Sequence, residues 1–173
     1  MRIHLSLAVA AAAVLAALAG AGSGHAAATI TFCKGSQLQG SFKVIPGSAG
    51  AGNIVYKLTL TNVSAKTCSL TGLPQGVLLN KSGKANPTHI RAAFPGALTA
   101  ILVTLKHGKS THATARFSPD VPGVGEGSPG KQCEPTSYSL RVIAKGGGTT
   151  TVKITPATPV CEHGGMQLSA YGK

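Results

Sequence analysis

An all-β, antiparallel sandwich is the fold class this sequence predicts, and three observations predict it. Short stretches of alternating apolar and polar residues recur between Gly-, Ser- and Pro-containing turns. With four Phe, three Tyr and no Trp, the core must be filled by Val, Ile and Leu, which suit strands. Beyond the first residues no segment sustains a helical period. About eight short strands in the broad immunoglobulin-like arrangement are expected.

The chain opens with Arg2 and then runs from Leu5 to Leu18 in Ala, Val and Leu, broken only by Ser6. Glycines and polar residues from Gly20 to His25 end the run before the roughly 20 apolar residues that a membrane-spanning helix needs. Ala26-Ala27-Ala28 offers the small residues that signal peptidase accepts. Residues 1–28 therefore read as a signal peptide and 29–173 as one exported domain. Cys33 follows Ile30-Thr31-Phe32, a poor lipoprotein signal, so no stable membrane anchor is expected.

The expected strands follow in order. Thr29 to Cys33 and Leu38 to Ile45 come first. In Ile54 to Asn62, the residues Ile54, Tyr56, Leu58 and Leu60 share one face, opposite Val55, Lys57, Thr59 and Thr61. Val77 to Asn80 ends at the turn Lys81-Ser82-Gly83-Lys84, and Leu98 to Leu105 ends at Lys106-His107-Gly108-Lys109. Thr111, Ala113, Ala115 and Phe117 alternate with polar residues, and this strand is expected to pair with Leu98 to Leu105. Ser118 to Gly130, with Pro119, Pro122 and Pro129, reads as a long surface loop. Ser137 to Ile143 and Thr150 to Ile154 flank Lys145-Gly146-Gly147-Gly148, a hairpin turn.

Cys33, Cys68, Cys133 and Cys161 all lie in the exported part, and an even count in an oxidising compartment reads as two disulfides. None sits in a CxxC pair, which argues against a redox dithiol or a zinc knuckle. Three pairings are open; nearness in strand order favours Cys33 with Cys68 and Cys133 with Cys161.

The order of short motifs adds a resemblance. Tyr56-x-Leu58-x-Leu60-Thr61-Asn62-x-Ser64 precedes Cys68-x-Leu70-x-Gly72-x-Pro74 and Val77-x-Leu79. Val103-x-Leu105-x-x-Gly108-x-Ser110, Cys133 and Val160-Cys161 follow. This series resembles the actinobacterial secreted domain of unknown function 4232. The resemblance implies an exported β-sandwich and supplies no activity. The chain lacks the lipoprotein cysteine or Ser/Thr/Pro-rich spacer of many members, which implies free secretion.

Chemistry is sparsely signalled. There is no GxSxG, P-loop or dinucleotide fingerprint. The acids are Asp120, Glu126, Glu134 and Glu162; Asp120 and Glu126 share a loop that suits a carboxylate pair or a hard cation. Cys161-Glu162-His163-Gly164-Gly165-Met166 resembles a copper loop, but its Cys-to-His gap is short and a thiolate there would leave an odd cysteine count. His25, His89, His107, His112 and His163 show no local metal-binding spacing.

Charge is the remaining signal: 16 Lys plus Arg stand against 4 Asp plus Glu. Such a surface attracts anionic polymers, while the scarcity of aromatics argues against specific nucleic-acid reading. The expected function is a secreted, non-catalytic binding domain without a cofactor, meeting an anionic envelope polymer or a protein. The alternative is an exported hydrolase or metal-binding protein using the Asp120 to Glu134 loop or His163 and Met166.

Overall fold

The computed structural model describes residues 30–95, 102–127 and 131–172; the expected signal peptide, residues 1–28, lies outside them. Among the described residues the chain forms ten strands: β1 Leu38–Val44, β2 Ile54–Asn62, β3 Cys68–Thr71, β4 Gln75–Leu79, β5 His89–Ala92, β6 Leu102–Leu105, β7 Ser110–Phe117, β8 Ser137–Ile143, β9 Thr149–Thr158 and β10 Gly165–Leu168.

Alternation sets the buried faces as expected. Tyr56, Leu58 and Leu60 of β2 are buried, with Ile54 packed at the margin. Thr111, Ala113, Ala115 and Phe117 of β7 are buried beside them. The Tyr56 ring lies between Phe42 and Phe117, with centroids 5.2 Å from each. Its hydroxyl donates to the Pro156 carbonyl at 2.9 Å, which satisfies the one polar atom of a buried ring.

The sheet is mixed, which corrects the purely antiparallel expectation. Eight strands run in the order β4-β8-β9-β1-β2-β7-β10-β5, and β3 and β6 form a separate two-stranded ribbon. The pairs β1/β9 and β10/β5 are parallel. The hairpins β1/β2 and β8/β9 fix their own directions, and β1 then docks beside a β9 that runs the same way. Parallel neighbours need long connections, and the span from β1 to β9 supplies one. The sheet also curls almost to closure. Residues 85–88, leading into the β5 edge, bond to the β4 edge: Asn86 N–H donates to the Leu78 carbonyl at 2.8 Å and Leu78 N–H to Thr88 Oγ1 at 2.9 Å.

Three strand readings change. Leu102–Leu105 does not pair with β7; Cys68 opposes Leu105 and Leu70 opposes Val103, while residues 98–101 lie outside the described ones. The turn after β6 therefore carries the chain from the ribbon to the large sheet. The expected first strand shrinks to a single bridge, Phe32 to Ser69, with Thr29 outside the described residues. The strands β3, β5 and β10 are additional. The β8/β9 hairpin forms as expected, with Ile143 opposite Thr149.

Asn62 explains the Thr61-Asn62-x-Ser64 motif. It is fully buried. Its Nδ2 donates to the carbonyls of Lys66, at 2.7 Å, and Leu105, at 2.9 Å. Its Oδ1 accepts from Ser64 N–H at 3.0 Å and from the Ser64 hydroxyl at 2.8 Å. One side chain thus joins the end of β2 to the end of β6. Asn62→Ala leaves those buried groups unpaired and is expected to cost about 2–4 kcal/mol, seen as a lower denaturation midpoint with an unchanged slope.

Candidate functional site

The strongest local irregularity is a four-residue turn, Cys161–Gly164, between β9 and β10. Glu162 (φ 55°, ψ 44°) and His163 (φ 57°, ψ 38°) are left-handed, and Gly164 follows at φ 79°. Left-handed backbone costs an L-residue about 1–2 kcal/mol, so something must hold these residues. Cys161 is tied to Cys133, while Cys33 is tied to Cys68, the pairing that strand order favours. Glu126 does the rest. Its Oε2 accepts from Gly123 N–H at 2.6 Å and Glu162 N–H at 2.7 Å, and its Oε1 accepts from His163 N–H. Successive N–H groups turned to one side form an anion-binding concavity, and here the chain's own carboxylate fills it.

The disulfide also delivers Glu134, the residue after Cys133, to the same corner. His163 Nδ1 lies 3.6 Å from Glu126 Oε1 and 3.7 Å from Glu134 Oε1. The Glu126 side chain is 2% exposed and that of Glu134 12%, whereas that of His163 is 55% exposed. Burial works to raise the Glu126 pKa, but the N–H donors of Gly123, His163 and Glu162 and a hydrogen bond from Glu134 hold it below the ordinary range. Burial, then the hydrogen bond to Glu126 and its negative charge, push the Glu134 carboxyl upward against the pull of His163. His163 also lines an open groove with Thr88, Arg91 and Glu162.

The other candidate residues lie elsewhere. Asp120 is exposed and stands outside this cluster, so the expected loop pair of Asp120 and Glu126 is replaced by Glu126 with Glu134. Met166 is fully buried in the core, and the Cys161 sulfur is spent in a disulfide; the copper loop therefore has no thiolate. His89 lies on β5 and His112 on β7, and His107 bonds through Nδ1 to the Ser64 carbonyl at 3.1 Å. His25 is outside the described residues. What the sequence reading missed is the joining of His163 to the acids of a distant loop. The signal for it was the cysteine pairing, since Glu134 follows Cys133 and His163 lies two residues after Cys161.

A second surface is built by the strands. Lys43 of β1 stands directly opposite Lys57 of β2, both exposed. Lys57 is flanked by Thr114, and Lys43 by Thr155. Exposed Arg116 lies opposite Val55 and Gln167, with exposed Lys153 and Arg141 on β9 and β8. None of the ten strands contains an Asp or Glu. The acids collect in the loop segments instead, where Glu162 sits 3.8 Å from Arg91 in an exposed ion pair. Like charges directly opposed across a strand pair are destabilising, and Lys43 and Lys57 line a shallow groove of about 340 Å³ with Ser41 and Thr59.

Among the described residues no helix is long and apolar enough to cross a membrane, and the two disulfides point to an oxidising environment. Comparison with curated proteins and with solved structures returned no match. The family model described as a domain of unknown function (DUF4232) matches residues 33–171, from the first cysteine to the buried Tyr171. The chain belongs to that family.

Proposed function

We propose that this protein is exported by its N-terminal signal peptide and acts outside the cytoplasm, at or beyond an actinobacterial cell envelope, as a non-catalytic binding domain. The outer face of β9, β1, β2 and β7 takes an anionic polymer or an acidic protein surface. The observation that carries this reading is the uncompensated opposition of Lys43 and Lys57 on a face whose strands supply Arg116 and Lys153 and no acid. An anionic chain laid along that face relieves the repulsion, and hydroxyls from Ser41, Thr59 and Thr114 donate to its oxygens. The two disulfides support export.

Titration of the mature protein against poly(glycerol phosphate) at several salt concentrations tests it. Lys43→Gln with Lys57→Gln is expected to weaken binding about tenfold and to reduce the slope of log affinity against log salt by about one to two. Lys84→Gln, in the turn after β4, is the control and leaves both nearly unchanged. Wild-type protein that ignores the polymer at low salt, or a double variant that binds like the parent, removes the reading.

A further inference from the structure

Away from the cationic face, we propose that Glu126, Glu134 and His163 form a binding site for one divalent transition-metal ion of the zinc class. The site does not depend on the polyanion reading.

The argument starts from the imidazole. His163 Nε2 lies 3.1 Å from the Val124 carbonyl. A carbonyl oxygen only accepts, so Nε2 carries a hydrogen, and Nδ1 is the nitrogen that faces the two carboxylates and can ligate when the ring is neutral. A ring N–H fixed on a backbone carbonyl while the other nitrogen stays free is the arrangement of metal-ligating histidines. Val124 lies two residues before Glu126 in the turn that Gly123 and Glu126 close by mutual hydrogen bonds, so the loop that carries one acid also orients the ring.

Distances fit as well. The Nδ1 separations of 3.6 and 3.7 Å from the two carboxylate oxygens let an ion about 2.1 Å from the nitrogen reach either oxygen at a like distance. The three donor atoms lie within 4.8 Å of one another. Glu126 is oriented for this role. With Oε2 taken by two N–H groups and Oε1 by one, Oε1 keeps a free acceptor site, and it is the oxygen facing His163 Nδ1. Among the described residues no Lys or Arg lies within ion-pair distance of Glu126 or Glu134, although both are largely buried. The charge facing these acids is supplied by the His163 imidazolium or, when the ring is neutral, by an ion held among the three groups, and the acid–imidazole set selects a borderline ion. The exposed side of His163 leaves a fourth position open to the groove beside Arg91.

Cobalt(II) is the probe, because it takes zinc sites and gives visible absorption. The mature protein with both disulfides formed is titrated with Co2+, then with Zn2+ in competition, with amide shifts followed by NMR. Expected are one equivalent of Co2+, its displacement by Zn2+, and shifts centred on the Gly123, Glu162 and His163 amides. Glu134→Gln and His163→Gln should each weaken Co2+ binding about tenfold or more, while His107→Ala leaves it unchanged. Glu126 is not varied, because it holds the turn. Absence of Co2+ binding into the millimolar range overturns the proposal, as does binding that survives both substitutions.

Discussion

Gly164→Ala is expected to be the most damaging conservative change in the chain, lowering stability by about 3–5 kcal/mol. Two effects add. The residue sits at φ 79°, where any side chain is strained. A Cβ there also overlaps the Pro87 carbonyl and comes within 2.7 Å of Thr88 N. Both obstacles are backbone, so no side-chain rotation relieves them. The contact presses the left-handed turn onto the strand entry to β5, whose edge nearly closes the sheet. Gly108→Ala isolates the conformational part: its φ is 71° and a Cβ there meets nothing within 4 Å, so the expected loss is about 1 kcal/mol. Chemical denaturation of the two variants side by side checks the difference, and equal midpoints would falsify the close approach.

Removing the Cys133–Cys161 bridge by Cys133→Ala with Cys161→Ala is expected to cost about 3–4 kcal/mol on loop-closure grounds, from a sequence separation of 28. The Cys33–Cys68 bridge, with a separation of 35, predicts nearly the same loss. The two removals separate in what else they do. Without Cys133–Cys161, Glu134 is no longer brought to His163, and the left-handed residues Glu162 and His163 keep only the Glu126 carboxylate as a tether. Co2+ binding should then fall with stability in the first double variant and persist in the second. Denaturant midpoints and cobalt absorption, measured at a temperature where both variants are folded, report the two properties independently. A Cys133–Cys161 variant with wild-type stability would show that Glu126 alone holds the corner.

The depth to which this molecule is legible in its sequence differs from element to element. β2 is written plainly, because nine residues with a period of two contain several repeats of the signal. β3, β5 and β10 have four residues each, too few to establish a period. β5 reads His-Ile-Arg-Ala and finds its place only through parallel pairing with β10, Ile90 opposite Met166. Leu102–Leu105 has a clear strand composition, yet the short turn after it suggested the wrong partner. A turn of that length ordinarily makes a hairpin; here Asn62 draws the end of β6 to itself, and β2 takes the place beside β7.

The same division holds for the two candidate surfaces. Lys57 is legible in the sequence as a residue opposite the apolar face of its strand, but its direct opposition to Lys43 depends on the β1/β2 register. Glu126, Glu134 and His163 are visible as residue types with no common spacing. Their meeting requires the disulfide and a run of left-handed backbone that propensity disfavours for Glu and His.

Sequence by itself determined that this is an all-β domain with two disulfides, a cationic balance, a largely aliphatic core and buried faces on β2 and β7. Those properties depend on composition and local alternation, which are read one strand at a time. Only the tertiary structure decided the strand order, the two parallel seams, the near-closure of the sheet and the corner where two acids meet a histidine. Alternation specifies which side of a strand is buried and is silent on which neighbour it joins; that choice is made by contacts between residues far apart in the chain.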